Sequence, residues 1–88
     1  MNIPMIKLIF NEADAKDYIY LQYGNREIHN KRSCIDYQIL GNGYYLKIRD
    51  KCKRETYLIK TDAIDVMKIV EPKWGRTMYR SEKNKGII

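Results

Sequence analysis

With 88 residues, 44 % hydrophobic and 32 % charged, the chain has enough for one core and too little for a second domain. That composition excludes intrinsic disorder, and no uncharged run approaches the ~20 residues of a membrane span. A formal charge of +6 favours an anionic partner without naming it.

The opening, Met1 to Phe10, sets Lys7 inside an apolar stretch. It lacks a basic leader and a small-residue cleavage site, so it does not read as a signal peptide. It is expected as the first strand, with Pro4 holding its start to an edge or entry position. From there the dominant period is two, in short Ile- and Tyr-rich segments separated by Gly-Asn and Asn-Gly, the pattern of consecutive antiparallel strands.

Tyr18 to His29 predicts a hairpin turning at Gly24-Asn25, with Gly24 at the positive-φ position. Leu21 then opposes Ile28, Tyr20 opposes His29 and Tyr18 opposes Lys31. The inward parity switches between Ile28 and Ile35, which calls for a bulge or sharp corner near Asn30 to Ser33. Ile35 to Arg49 predicts a second hairpin about Asn42-Gly43. Pairing outward from that turn sets Ile39 against Leu46 and Tyr37 against Ile48, and on the other face Gln38 against Lys47 and Asp36 against Arg49. A one-residue slip mixes the two faces, so this register is strongly specified.

Extending it puts Cys34 on the polar face opposite Lys51, with Cys52 on the apolar side or in the loop. The two side chains then diverge, which disfavours a disulfide. With no Cys-x-x-Cys pair and one histidine, His29, a zinc site lacks ligands. Two reduced thiols in a cytoplasmic protein are expected. Cys52 lies among Lys51, Lys53 and Arg54, which favour its thiolate, although a loop cysteine beside lysines is usually incidental.

Thr56 to Lys60 reads as a returning strand and 61–65 as a short helical turn capped by Thr61 or Asp62. Val66 to Val70 reads as a last strand stopped by Pro72. A helix over 62–70 competes, since Ala63, Val66, Met67 and Val70 share a helical face. From Lys73 the chain turns basic, with Lys73, Arg76, Arg80, Lys83 and Lys85 against Glu82. The expected organisation is one β-rich domain over 1–72 and a basic tail over 73–88. The fold class is all-β or β-dominated, a small antiparallel barrel or strongly bent sheet of five to six strands. Its element order resembles the SH3-like small-barrel class.

Three features bear on function. Tyr45, Lys47, Arg49 and Lys51 alternate along one strand, with Asp36 and Gln38 beside them. Alternate strand residues stand about 7 Å apart, which suits a row of phosphates, and an aromatic at the end of such a row can stack a base. A solvated sheet face is ordinarily charged too, and Asp36 is expected to neutralise part of Arg49. Second, eight tyrosines accompany one phenylalanine and Trp74. Tyr18, Tyr20, Tyr45, Tyr79 and Trp74 are the expected exposed set and Tyr37, Tyr44 and Tyr57 the inward set, although tyrosine also suits half-buried strands for structural reasons alone. Third, the tail has the composition of an anion-binding or solubilising segment.

Catalysis is not indicated. Ser33 and Ser81 lack histidine and acid partners. The glycines of Gly41-Asn42-Gly43 serve a hairpin rather than a phosphate loop. Asp62 and Asp65 alone do not make a metal site, and no cofactor is implied. The expected function is a non-catalytic basic module that contacts nucleic acid, or a complex that handles it. The site is Tyr45, Lys47, Arg49, Lys51, Lys53 and Arg54, joined by Tyr18, Tyr20, Trp74, Arg76 and Arg80. The alternative is a small adaptor or inhibitor, of phage or mobile-element type by its Ile- and Lys-rich composition, that caps an acidic protein surface. A small anionic ligand such as a nucleotide is a third class, and pairing of copies through the first strand or tail is open.

Overall fold

In a computed structural model, residues 2–72 are described in full and 77–82 as backbone. The chain opens with a helix, not the expected strand. Helix α1 spans Ile3–Glu12; the Asn2 side chain accepts the Met5 N–H at 2.8 Å, and Pro4 sits in the first turn, where no N–H is needed. Ile6, Ile9 and Phe10 fall on one helical face and are buried. Pro4 fits the capped first turn of a helix as well as it fits a strand entry, and the helix is what forms.

Strands β1 (Tyr18–Tyr23) and β2 (Arg26–Lys31) form the first hairpin in the expected register, with Gly24 at φ +56. A single 3-10 turn at Arg32–Cys34 supplies the anticipated corner. Strands β3 (Ile35–Leu40), β4 (Tyr45–Asp50) and β5 (Glu55–Lys60) then make a meander, again with the expected β3–β4 pairs. Asn42 and Gly43 both take positive φ, and Tyr44 N–H returns to the Gly41 carbonyl at 3.1 Å. The expected helical turn is a 3-10 corner confined to Thr61–Ala63 and carries no side-chain cap, since the Thr61 hydroxyl turns to the Gly43 carbonyl; it leads into β6 (Ile64–Val70), which is strand throughout. Its pairing with β1 shifts opposite Gln22 and Tyr23. This irregularity lets Ile64 and Met67, three apart, both reach the core, and that spacing is what lent the segment its helical look. The backbone of Thr77–Glu82 forms β7 beside β6.

The chain is therefore β-dominated, but its strands lie in two antiparallel sheets rather than a closed barrel. One has the order β2-β1-β6-β7 and the other β3-β4-β5. The chain changes sheet at its two 3-10 corners, so β2 and β3 do not pair. One core joins Ile19, Leu21 and Ile69 of the first sheet to Leu46, Ile48 and Ile59 of the second, with Ile6, Ile9 and Phe10 of α1. No helix among the described residues is long and apolar enough to cross a membrane.

Each corner is pinned. Arg32 donates from Nε to the Phe10 carbonyl at 3.0 Å and from a terminal nitrogen to the Ile35 carbonyl at 2.7 Å, while its guanidinium lies 5.2 Å from the centre of the Phe10 ring. Phe10 in turn stacks on Tyr37 at 4.0 Å, joining α1 to β3. At the other corner the buried Thr61 donates its hydroxyl to the Gly43 carbonyl at 2.8 Å and its N–H to the Tyr44 carbonyl at 3.0 Å. Gly43 itself sits at φ +94, and a Cβ there would come 3.1 Å from Ile3 of the helix. Gly43→Ala combines backbone strain with that contact, and a loss of about 2 kcal/mol is expected in urea titration; an unchanged midpoint would contradict it.

The cysteines are the second correction. Cys34 and Cys52 are joined by a disulfide with their Cα atoms 5.5 Å apart. The expected divergence assumes strand alternation, which holds only within the strands. Cys34 instead belongs to the 3-10 turn and Cys52 to the tight turn after β4, where alternation no longer sets side-chain direction. Lys51 N–H still bonds the Cys34 carbonyl at 2.8 Å, so the backbone register is as expected and only the side chains differ.

Beside the bridge, the carboxylate of Asp50, 1 % exposed, accepts from the Asn30 side chain at 3.0 and 3.2 Å. It also accepts from the backbone N–H of Cys52 at 3.1 Å and of Lys53 at 3.0 Å. Burial alone would raise this carboxyl. The Asn30 amide, the two turn N–H groups and the Lys53 charge outweigh it and hold the group below its ordinary value. Asn30 and Asp50 thereby tie β2 of one sheet to β4 of the other.

Candidate functional site

The outward face of the β3-β4-β5 sheet is a grid set by register. Its rows across the strands are Leu40-Tyr45-Lys60, Gln38-Lys47-Leu58 and Asp36-Arg49-Thr56. The complementary positions Leu46, Ile48 and Ile59 are buried, so the period of two sends Tyr45, Lys47 and Arg49 outward together along the central strand. Asp36 forms its ion pair with Lys51 at 3.5 Å rather than with Arg49, the expected partner. Among the described residues, Lys47 and Arg49 enter no salt bridge. A shallow depression of about 160 Å³ lies beside them, lined by Asp36, Tyr37, Gln38, Lys47 and Arg49.

Lys51, Lys53 and Arg54 occupy the exposed turn that continues from β4, and the Asp50 hydrogen bonds fix its backbone. Tyr45, Lys47, Arg49, Lys51, Lys53 and Arg54 thus share one sheet and its adjoining turn. Tyr18 and Tyr20 do not join them. They lie on β1 in the other sheet, outward of a core that both sheets share. There Tyr20 donates to Glu27 at 2.5 Å, lies 5.0 Å from the Lys68 ammonium and meets His29 edge-on at 5.9 Å, while Tyr18 lies 5.1 Å from the same imidazole. The Glu27 hydrogen bond, burial and the Glu27 charge push the Tyr20 hydroxyl up to about 12. Side-chain partners already occupy this cluster. Trp74 and Arg76 lie outside the described residues, and Arg80 and Tyr79 belong to β7, of which the backbone alone is described.

Tyr44, expected inward, is 70 % exposed. It adopts an αR conformation at the end of the hairpin turn, and a residue in a turn does not inherit the face its strand parity assigns. Leu58, 62 % exposed, also belongs to the face and lies outside the expected site. The alternation of Thr56, Leu58 and Lys60 against Tyr57 and Ile59 sets Leu58 outward, although its hydropathy alone reads as core. Tyr57, by contrast, is half-buried and donates to Glu55; that bond, then burial and nearby negative charge, push its hydroxyl up to about 12.

Among the described residues no group of three or more His, Cys, Asp or Glu side chains is placed to hold a metal ion. The arrangement can bind a negatively charged, partly planar ligand laid along β4: two cations in line, an aromatic ring at one end and a cationic turn at the other. No family model, curated protein or solved structure matches the chain.

Proposed function

We propose that the protein is a non-catalytic binding module whose β3-β4-β5 face contacts nucleic acid. The observation that carries this is the alignment of Tyr45, Lys47 and Arg49 on the exposed face of the central strand, with Lys60 alongside and Lys51, Lys53 and Arg54 beyond. Cations along the strand meet successive phosphates, and Tyr45 offers a ring for a base, a contact worth about 1–3 kcal/mol in single-strand binders.

The test is fluorescence anisotropy with labelled single- and double-stranded DNA and RNA at ~50 and ~200 mM salt. Micromolar or tighter binding with a steep salt dependence is expected. Lys47→Glu with Arg49→Glu should weaken it more than about tenfold and lower the salt slope by about 2, one for each lost phosphate contact. Unaltered affinity and slope in that double variant would remove this face from the reading.

A second reading, an adaptor or inhibitor seated on an acidic protein surface, is favoured by one observation: Leu58 on β5 and Tyr44 in the β3–β4 turn are the most exposed large apolar side chains among the described residues. Such a clamp depends on apolar anchors and persists in salt. Leu58→Ser would then weaken binding more than Lys47→Glu does.

A cytoplasmic location is proposed with the nucleic-acid reading, and there the Cys34–Cys52 bridge would have to persist against a reducing pool that keeps disulfides rare. A persistent bridge fits an oxidising compartment. Alkylation of acid-quenched cells followed by mass spectrometry distinguishes the two.

A further inference from the structure

The edges of the two sheets are not equally guarded. A strand at a sheet edge presents unpaired N–H and C=O groups, and charged side chains along it ordinarily keep other strands away. Edge β2 carries Arg26, Glu27, His29 and Lys31, and edge β3 sets Asp36 and Gln38 outward. Edge β5 differs. Among the described residues it pairs with β4 alone, it holds no proline or bulge, and the centre of its outward face is the strongly exposed Leu58. Its charges, Glu55 and Lys60, stand at opposite ends.

Register decides which backbone groups that edge offers. The Thr61 N–H bonds the Tyr44 carbonyl at 3.0 Å, one step beyond the Tyr45–Lys60 pair. Hydrogen-bonded pairs alternate along an antiparallel ladder, so Ile59 and Tyr57 also turn their N–H and C=O groups to β4. Those of Thr56, Leu58 and Lys60 turn to the free edge. With a second β5 laid antiparallel beside it and Leu58 opposite Leu58, each Leu58 exchanges both bonds with the other. Each Thr56 likewise exchanges both with the opposing Lys60, so every edge donor meets an acceptor. A shift of two residues either way leaves the edge groups of Thr56 or Lys60 without partners. A shift of one sets bonding groups opposite non-bonding ones.

Side chains and charge agree with that register. On the outward face Leu58 meets Leu58 across a two-fold axis, and on the inward face the half-buried Tyr57 meets Ile59 beside the core. Antiparallel pairing brings the Glu55 end of each strand to the Lys60 end of the other, whereas parallel pairing sets like ends together. The edge is charge-balanced in a chain of net charge +6, so it suits another copy of itself better than an anionic partner.

We propose that two copies of this chain join through antiparallel β5 strands, with Leu58 on the two-fold axis, into one sheet of order β3-β4-β5-β5-β4-β3. The axis is perpendicular to the sheet, so both cationic faces look the same way and the row of Tyr45, Lys47 and Arg49 is doubled. The pairing does not depend on what that face binds. One strand pair, about 20 Å long, makes a smaller interface than a permanent dimer has, so the association is reversible.

Sedimentation equilibrium of the intact chain from about 10 to about 500 µM tests it, a range suited to a small interface. The mean mass is expected to rise from that of one chain toward that of two. It should rise further at ~500 mM salt than at ~50 mM, because screening relieves repulsion between two basic chains. Leu58→Lys opposes like charges on the axis and should weaken the dimer more than about tenfold. Leu8→Lys, the same charge change on the exposed side of α1, should leave it within about twofold of wild type. Leu58→Cys should cross-link two chains under mild oxidation, since the Cα atoms of a bonded pair stand about 5.5 Å apart. Thr56→Cys, which faces Lys60, should not. The mass of a single chain throughout the range overturns the proposal. A dimer that withstands Leu58→Lys also overturns it, as does cross-linking through Thr56→Cys in place of Leu58→Cys.

Discussion

Asp50→Ala is expected to cost about 3 kcal/mol of folding stability, read as a shift of the urea midpoint at neutral pH. The carboxylate is 1 % exposed and receives the Asn30 amide and the backbone N–H groups of Cys52 and Lys53. Removing it leaves an amide at the end of the core without its acceptor and frees two turn donors, and unsatisfied buried donors are costlier than an average hydrogen bond is worth. Asp50→Asn keeps the shape but loses the charge and replaces one acceptor oxygen with a donor, so a loss of about half that size is expected. The two variants also separate in acid. The Asp50 carboxyl is held below its ordinary 3.8, so the stability it contributes is full above that value and declines as pH falls through the lower folded value. Wild type should therefore show a steeper loss of stability below about pH 4 than Asp50→Asn. Parallel acid limbs for the two proteins would show that the carboxylate is not held by this network. The same residue shapes the candidate face, because the turn it holds carries Lys51, Lys53 and Arg54.

Opening the Cys34–Cys52 bridge is expected to have a similar effect, about 3 kcal/mol, whether by reductant or by Cys34→Ser with Cys52→Ser. The cysteines are separated by 18 residues, and closing a loop of that size removes about this much chain entropy from the unfolded state. Urea titration with and without reductant checks it; coincident midpoints would mean that the bridge adds nothing. Its loss should not add fully to that of Asp50→Ala. Both features hold the turn after β4, one by a covalent tie to the first corner and the other by a hydrogen-bonded tie to β2, so once one tie is gone the other restrains a looser turn. A coupling of about 1 kcal/mol is expected in the double-mutant cycle. Reduced protein should also bind a labelled oligonucleotide more weakly than bridged protein, because cations on a loosened turn lose entropy on meeting phosphate.

What could be read without a structure was local. Asn42-Gly43 and Gly24-Asn25 demand positive φ where a two-residue hairpin needs it, and the alternation beside each turn admits one register. Both hairpins, the exposed row of Tyr45, Lys47 and Arg49, and the 3-10 corner at Thr61 follow from neighbours in the chain. Tertiary structure decided what depends on distant partners. Asn2 and Pro4 fit a helix start as well as a strand start, and α1 forms where Ile6, Ile9 and Phe10 can be buried by both sheets. The two 3-10 corners put Tyr18 and Tyr20 on a different sheet from Tyr45, dividing a surface that charge and composition had joined. The Cys34–Cys52 bridge and the Asn30–Asp50 contact arise where strands end, and there alternation ceases to govern where a side chain points. A cavity of about 320 Å³ lined by Tyr44, Tyr45, Lys60 and Asp62 has the same origin: cross-strand pairing brings Lys60 to Tyr45, and the second corner brings Asp62 to the same space. Periodicity and turn chemistry act over a few residues, so they determine hairpins; assembly of the hairpins depends on burial shared by segments far apart, which no local pattern encodes.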